Sequence, residues 1–274
     1  MILDGKKISE KILEDIKLQI KKINKKITIA IIWIGNDPSS ETYVNNKIKK
    51  SKELGIETRL FHFENNIKEE MILNLIDELN NNKNINGIIL QSPVPNNINI
   101  NNCFNKISYQ KDIDGFSNIS VGNLSMNNPS FIPCTSKGIL RLLDCYDIDL
   151  NGKNVCIINR SNIVGKPLVN LLLERNATIT VCHSKTKNIK KITKASDIVI
   201  SAVGIPNFIT CDMIKKNAVV IDVGINRING NIVGDVDFEK VSKKVSYITP
   251  VPGGVGPMTV AMIFENVLDA INIK

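Results

Sequence analysis

The stretch Asn154-Val-Cys-Ile-Ile-Asn-Arg-Ser-Asn-Ile-Val-Gly-Lys-Pro167 decides how the second half of this 274-residue chain folds. Asn154 to Ile158 is a short, mostly apolar and β-branched run, the kind that fits a strand buried on both faces. A polar turn follows, and from Val164 to Arg175 apolar positions recur at helical spacing. Strand, tight turn and helix together read as the opening of a Rossmann-like half with its own sheet. No Gly-x-Gly-x-x-Gly follows the strand, so as a bare fingerprint the signal is weak.

Downstream, strands at Thr178 to Cys182, Asp197 to Ala202 and Ala218 to Val223 alternate with helices at Lys187 to Lys194 and one ending near Lys215. Upstream, the same alternation runs through helix Ser9 to Ile23, strand Ile27 to Ile34 and helix Ser40 to Leu54, which Gly55 closes. Strand Ile56 to Phe63, helix Ile67 to Leu79 and strand Gly87 to Leu90 complete that half. Repeated alternation argues for parallel sheets covered by helices. A short helix follows Pro95, and Lys111 to Asn128 reads as irregular, with helix Ser136 to Tyr146 as a bridge. The final helix, Met258 to Ile271, carries more apolar surface than its neighbours need and is expected to pack on the first domain. The fold class is α/β, two domains around a cleft, the second a Rossmann-like doubly wound, mainly parallel sheet. The boundaries are 1–135 with 258–274 for the first domain and 136–257 for the second.

With 43% hydrophobic and 23% charged residues, the composition is that of an ordinary globular protein with a sizeable core. The net charge of +8 comes from lysines dispersed on helix faces within a chain rich in Ile, Lys and Asn. It is therefore discounted as a sign of nucleic-acid binding, and no aromatic-basic stripe supports one. The six cysteines form no Cys-x-x-Cys pair and read as reduced core residues. Only His62 and His183 are available, so no metal site is expected. Met-Ile-Leu-Asp-Gly-Lys-Lys has no apolar signal core and no run approaches membrane-spanning length, so a cytoplasmic protein with no membrane association is expected.

Four places carry candidate chemistry. Thr249-Pro-Val-Pro-Gly-Gly-Val-Gly-Pro-Met-Thr259 holds three glycines, three prolines and no charge. Its prolines stiffen a wall from which the glycines remove side chains, and Pro257 is read as the first residue of the last helix. Tyr43 and Lys47 stand four apart and share a helix face. An aromatic ring beside an amine in a cleft stacks a flat substrate and handles a proton, since burial or a nearby cation brings a lysine toward neutrality. Gln91 lies at the C-terminal end of a strand, where open α/β sheets bind ligands. Asp112 and Asp114 flank Ile113 in a loop with too few oxygen ligands for a divalent metal. Alone, each has a plain reading: a loop, a lysine-rich surface, a strand end and an Asp-Gly turn.

Together, Leu3-Asp-Gly-Lys, Ser40-x-x-Tyr43-x-x-x-Lys47, Gln91-x-Pro-x-Pro, Asp112-x-Asp114-Gly, Pro133-Cys-Thr135 and Pro-Gly-Gly-Val-Gly-Pro-Met-Thr-Val resemble the bifunctional methylenetetrahydrofolate dehydrogenase/cyclohydrolase family, in that family's order. The resemblance implies oxidation of 5,10-methylenetetrahydrofolate with NADP, then hydrolysis to 10-formyltetrahydrofolate. It implies Lys47 as catalytic base or acid tuned by Gln91, Tyr43 stacked on the aminobenzoyl ring and Asp114 on the pterin. Ser40 and the Gly253-Gly254 loop would line the same pocket, and a homodimer is implied. Ser92 departs from the leucine usual after the glutamine.

The nucleotide turn resembles the family's Gly-Arg-Ser-x-x-Val-Gly-x-Pro, with Asn159 for the first glycine. Asn tolerates left-handed backbone better than other non-glycine residues, so the turn survives the exchange. Arg160, Ser161 and Gly165 complete it. After the next strand stands Cys182-His-Ser184, with no acid to hold a ribose hydroxyl, and this beside Arg160 favours the 2′-phosphate of NADP over NAD. Thr135, Gly204, Pro206 and Ile225 resemble the remaining cofactor contacts. Two other readings are weighed: a shikimate-dehydrogenase-like oxidoreductase, in which the Pro-Gly-Gly loop has no role, and a basic nucleic-acid-binding protein.

Overall fold

The computed structural model of the chain describes residues 1–228 and 230–272, with all their side chains except that of Ser39. Ile273 and Lys274, the last two residues of the expected 258–274 segment, lie outside them. The contacts divide the chain into two compact units. We call Ile12–Pro133 with the chain from Ile263 the first unit, and Cys134–Met262 with Met1–Lys11 the second. Helix α1 (Gly5–Lys22) contributes residues to both.

In the first unit β1 (Thr28–Ile34) is buried at every position, because it is the middle strand of a parallel three-stranded sheet of order β2-β1-β3. A continuously apolar run is what such a strand requires. α2 (Pro38–Leu54) connects it to β2 (Glu57–Phe63), and α3 (Glu69–Asn81) leads to β3 (Gly87–Leu90). Ala30, Ile32 and Ile34, two apart and so on one face, form a core with Ile72, Ile76 and Leu79 of α3 and with Ile88 and Leu90. Each isoleucine buried there contributes roughly 1.5–3 kcal/mol. β2 is an edge strand, partly exposed. Its His62 stacks on its β1 partner Trp33 with ring centroids 3.8 Å apart, and His62 Nε2 lies 2.8 Å from the Gly35 carbonyl, at the start of the loop into α2.

α4 (Ile100–Lys106) and α5 (Asn118–Ser125) complete this unit. The second corrects an expectation, for Lys111 to Asn128 is not irregular throughout. Ser117 caps α5 by accepting from the Ser120 amide, and such capping makes a helix of a Ser/Asn/Gly-rich segment that lacks apolar periodicity.

In the second unit α6 (Cys134–Cys145) precedes β4 (Asn154–Ile158), α7 (Gly165–Leu173), β5 (Thr178–Cys182), α8 (Ile189–Ala195), β6 (Ile198–Ser201) and β7 (Val219–Asp222). A hairpin of β8 (Asn226–Ile228) and β9 (Asn231–Val233), a turn of helix α9 (Phe238–Val241) and β10 (Tyr247–Ile248) follow. The parallel sheet has the order β10-β7-β6-β4-β5. The chain winds outward from β4 in both directions, so the C-terminal ends of β4 and β6 mark the switch point where doubly wound sheets bind ligands.

Three expectations change here. No long helix ends near Lys215; a single 3₁₀ turn, Cys211–Met213, stands there. Ile209 instead bridges Val236, its amide donating to Asp235 O and its carbonyl accepting from Asp237 N. The first residues, assigned by sequence to the first domain, group with the second unit, because Ile2 bridges Ile248 and Leu3 N donates to Ile248 O. Finally, α10 starts at Val255 and ends at Asn272, so Pro257 is its third residue. It still lies in the first turn, where its missing N–H costs nothing. From Ile263 onward α10 belongs to the first unit, and Asn266 Nδ2 donates there to Ile113 O and Ile132 O.

Candidate active site

α2 is set by its ends: Asp37 caps it by accepting from Ser40 N at 2.7 Å, Pro38 opens it and Gly55 at φ 81° closes it. Its buried stripe is Ser40, Val44, Lys47, Ser51 and Leu54, at helical spacing but with three polar residues. Ser51 satisfies itself on Lys47 O. Ser40 Oγ is buried and has no hydrogen-bond partner among the described residues. Lys47, 8% exposed, donates from Nζ to Gln91 Oε1 at 3.0 Å, and Gln91 is itself 7% exposed.

Gln91 follows β3 directly, and its amide donates to Ile32 O of β1. Its Nε2 donates to Ser92 O at 2.7 Å, which turns Oε1 toward the lysine. A neutral carboxamide therefore orients the amine without the coulombic attraction that a carboxylate would add. Tyr43, half-buried, sits one turn before Lys47 on the same helix. The hollow lined by Ile48, Lys52, Gly55, Ile56, Glu57 and Thr58 contains none of these residues.

Asp112 Oδ1 accepts from Gly115 N and Phe116 N, and Oδ2 accepts from Ser117 N and Ser120 Oγ. It builds the turn, and burial pushes its carboxyl above the usual carboxylate range despite these bonds. Asp114 sits on that turn just before Gly115, whose φ of 73° fixes the bend. Lys111 anchors the other end by donating from Nζ to Leu79 O, Asn80 O and Asn82 O, the carbonyl end of α3.

In the second unit the candidate cofactor residues stand at the C-terminal ends of neighbouring parallel strands. Asn159, Arg160, Ser161 and Gly165 follow β4; Ser184 follows β5; Gly204 and Pro206 follow β6; Ile225 follows β7. Thr135, on α6, receives a bond from Thr259 Oγ1. Asn159 works otherwise than expected, for it is not among the residues with left-handed backbone. Its Oδ1 accepts from Ser161 N and Gly165 N, and its Nδ2 donates to Ala202 O at the end of β6. The side chain thus pins the turn from within. A Cβ on Gly165 would meet Asn159 O at 2.3 Å, so α7 starts hard against the strand end. Arg160 and Ser184 are exposed, and the segment after β5 holds no acid. These features fit a dinucleotide that carries an additional phosphate.

The glycine-rich loop is shaped by its own backbone. Gly253 has φ 107°, and a Cβ on Gly254 would meet Pro250 O at 2.5 Å. Lys6 N donates to Gly253 O, and Gly5 lies so close that its Cβ would meet Gly254 O at 1.9 Å. Below the loop, Thr249 Oγ1 accepts from Asp222 N. Asp222 accepts from three backbone amides, those of Gly224, Asp235 and Val236. Burial still raises its carboxyl to about 6, with the Asp235 charge adding to the effect. Asp235 was missed in the sequence; a Gly-Asp after a short β-run was its one signal.

Fold and site define an α/β oxidoreductase with a nucleotide-binding sheet in one unit and a buried lysine–glutamine pair in the other. The sequence matches the catalytic domain of tetrahydrofolate dehydrogenase/cyclohydrolase over residues 3–114 and the NAD(P)-binding domain of the same family over residues 133–274. The chain belongs to the tetrahydrofolate dehydrogenase/cyclohydrolase family. It is 50% identical to the bifunctional protein FolD of Campylobacter hominis over 271 residues, 97% of this chain and 95% of the other. It superimposes on the FolD crystal structure from Campylobacter jejuni with a TM-score of 0.97 at 46% identity, covering 100% and 99% of the two chains. With Trypanosoma brucei FolD, solved in complex with NADP and an inhibitor, the TM-score is 0.95 at 33% identity, covering 100% and 97%. The protein is thus an NADP-dependent methylenetetrahydrofolate dehydrogenase and methenyltetrahydrofolate cyclohydrolase of one-carbon metabolism. It oxidises 5,10-methylenetetrahydrofolate to the 5,10-methenyl cation and hydrolyses that cation to 10-formyltetrahydrofolate. The shikimate-dehydrogenase-like reading is set aside. Among the described residues, no helix is long and apolar enough to cross a membrane.

Proposed function

We propose that Lys47 and Gln91 carry the cyclohydrolase chemistry, and the observation behind this is their buried 3.0 Å hydrogen bond. Water adds to the methenyl carbon, and Lys47 Nζ takes the proton that the water loses. When the bond from that carbon to N5 breaks, Lys47 returns its proton to the departing nitrogen. The carbinol hydroxyl gives its own proton to solvent and becomes the formyl carbonyl. Gln91 holds the amine in place throughout. Tyr43 stacks on the aminobenzoyl ring, Asp114 accepts from the pterin amino group, and Ser40 offers its unpartnered hydroxyl. Gly253 and Gly254 are further substrate contacts.

The unit built on Ile12–Pro133 is read as the folate-processing domain and the unit built on Cys134–Met262 as the nucleotide domain. Arg160 and Ser184 hold the 2′-phosphate, which selects NADP over NAD. Asn159, Ser161 and Gly165 form the turn, and Thr135, Gly204, Pro206 and Ile225 complete the contacts. When bound, NADP supplies the hydride acceptor. The chain's own residues bind and orient, and orientation is where the protein's share of the rate arises. The protein acts as a cytoplasmic homodimer and takes neither nucleic acid nor membrane as partner. The test is Lys47→Met in a hydrolysis assay with methenyltetrahydrofolate: loss of turnover in folded protein supports the assignment, and full turnover removes it.

A further inference from the structure

We infer that Asp235 is the positioning residue for one side of the nucleotide site, an inference that rests on the cofactor reading above. Asp235 is fully buried, and its carboxylate gathers four donors from separate segments. Oδ2 accepts from Ser201 Oγ at 3.0 Å and from Val203 N at 2.7 Å. Oδ1 accepts from Ile205 N and from Asn226 Nδ2, each at 3.1 Å. One side chain therefore fixes the loop that leaves β6 and the segment that leaves β7, and among the described residues no lysine or arginine is its partner. Bonds to an ionised acceptor are stronger and shorter than neutral ones, so the carboxylate is a stiffer tie than an amide would be.

The surroundings are built to admit it. A Cβ on Gly224 would meet Asp235 Oδ1 at 2.1 Å, so the segment after β7 approaches only as glycine. Gly204, at φ 69°, lets the other loop turn between the two amides that Asp235 holds. Asp235 is itself placed by Asp222, whose Oδ1 accepts the Asp235 amide at 2.9 Å. Two large apolar side chains stay at the surface on the fixed segments, Ile205 at 51% exposure and Ile225 at 48%. Apolar side chains held outward on stiffened backbone, at the ends of β6 and β7, suit a flat ring. Arg160 and Ser184 stand instead at the ends of β4 and β5, on the other side of the switch point.

The division gives a test that a merely structural residue fails. Asp235→Asn preserves shape but turns one oxygen into a donor that faces two donors. The full chain carrying this change should show an NADP Michaelis constant raised by at least about tenfold in the dehydrogenase assay. Its affinity for adenosine 2′,5′-bisphosphate, which reaches only the β4 and β5 side, should stay within about twofold of the parent. Cofactor-free hydrolysis of methenyltetrahydrofolate should also persist. Ser201→Ala, which removes one donor of four, should give a smaller rise. An unchanged NADP constant overturns the inference, and so does a parallel loss of bisphosphate binding and hydrolysis. A parent protein that binds neither NADP nor the bisphosphate in a calorimeter overturns the cofactor reading itself, and the inference with it.

Discussion

Lys47 Nζ lies 3.0 Å from Gln91 Oε1, an amine from the buried stripe of α2 against a carboxamide at the end of β3. Neither residue reaches water freely, and the stripe in which Lys47 sits is where a helix ordinarily places apolar groups. Burying an amine beside a neutral partner costs stability, as the catalytic role proposed for the pair would lead one to expect. Lys47→Met should therefore lower cyclohydrolase turnover by about 10²–10⁴-fold, the usual range for a removed acid–base group, without lowering the melting temperature. The decay of methenyltetrahydrofolate absorbance reads it directly. Gln91→Ala leaves the amine unpaired, so it should cost turnover and also about 1–3 kcal/mol of stability.

Asp112 and Asp114 should separate in the same way. Asp112→Ala strips four donors of their acceptor, and the urea midpoint should fall by the equivalent of about 3 kcal/mol. Asp114→Ala should move the folate Michaelis constant much more than the midpoint. Equal effects of the two changes on stability would contradict the division of labour.

Much of this was legible because the signals were local. β4 is legible at Asn154–Ile158, where the structure has it, since its Val155–Ile158 run is buried and apolar and turn chemistry bounds it. The end of α2 was legible through Gly55, whereas its start lies at Pro38, behind the Asp37 cap, and not at Ser40. What stayed hidden depends on partners far away in sequence. The chain before Lys215 looks as helical as its neighbours until Val236 is there to pair with Ile209. Met1 to Leu3 carry no strand signal, and they extend a sheet only because Ile248 offers an edge. The sequence of the turn shows the backbone tolerance of Asn159 but not that its carboxamide bonds Ser161, Gly165 and Ala202. Asp235 shows one acid in a short segment, and nothing local tells that the chain after β6 and the chain after β7 both converge on it.

Arg160 is exposed at the β4 turn, and no acid follows β5. Arg160→Ala should raise the NADP Michaelis constant by at least about tenfold, the loss of a guanidinium–phosphate contact, while that for NAD changes by less than about twofold. Matched effects on both nucleotides would remove the 2′-phosphate assignment.

Asp222 gives a pH signature of stability. Its carboxyl is raised to about 6 in the folded protein from an unfolded value of 3.8. The folded state then binds the proton more tightly, so its contribution to stability is full below the unfolded value and is lost as pH rises through the folded value. Asp222→Asn cannot titrate, so its stability relative to the parent should improve between pH 4 and pH 7 by on the order of 2 kcal/mol. Urea denaturation of both proteins at the two pH values measures the difference, and a constant difference would contradict the buried titration.

The most direct test of the whole account is a spectrophotometric assay of the intact protein with 5,10-methylenetetrahydrofolate, run in parallel with NADP and NAD. Readings at neutral pH are compared with readings after acid quenching, which closes 10-formyltetrahydrofolate back to the absorbing methenyl form. The account predicts strong NADP-dependent turnover, weak turnover with NAD, and methenyl absorbance that appears only after acid. Methenyl accumulating at neutral pH would contradict the roles of Lys47 and Gln91, and equal rates with the two nucleotides would contradict those of Arg160 and Ser184.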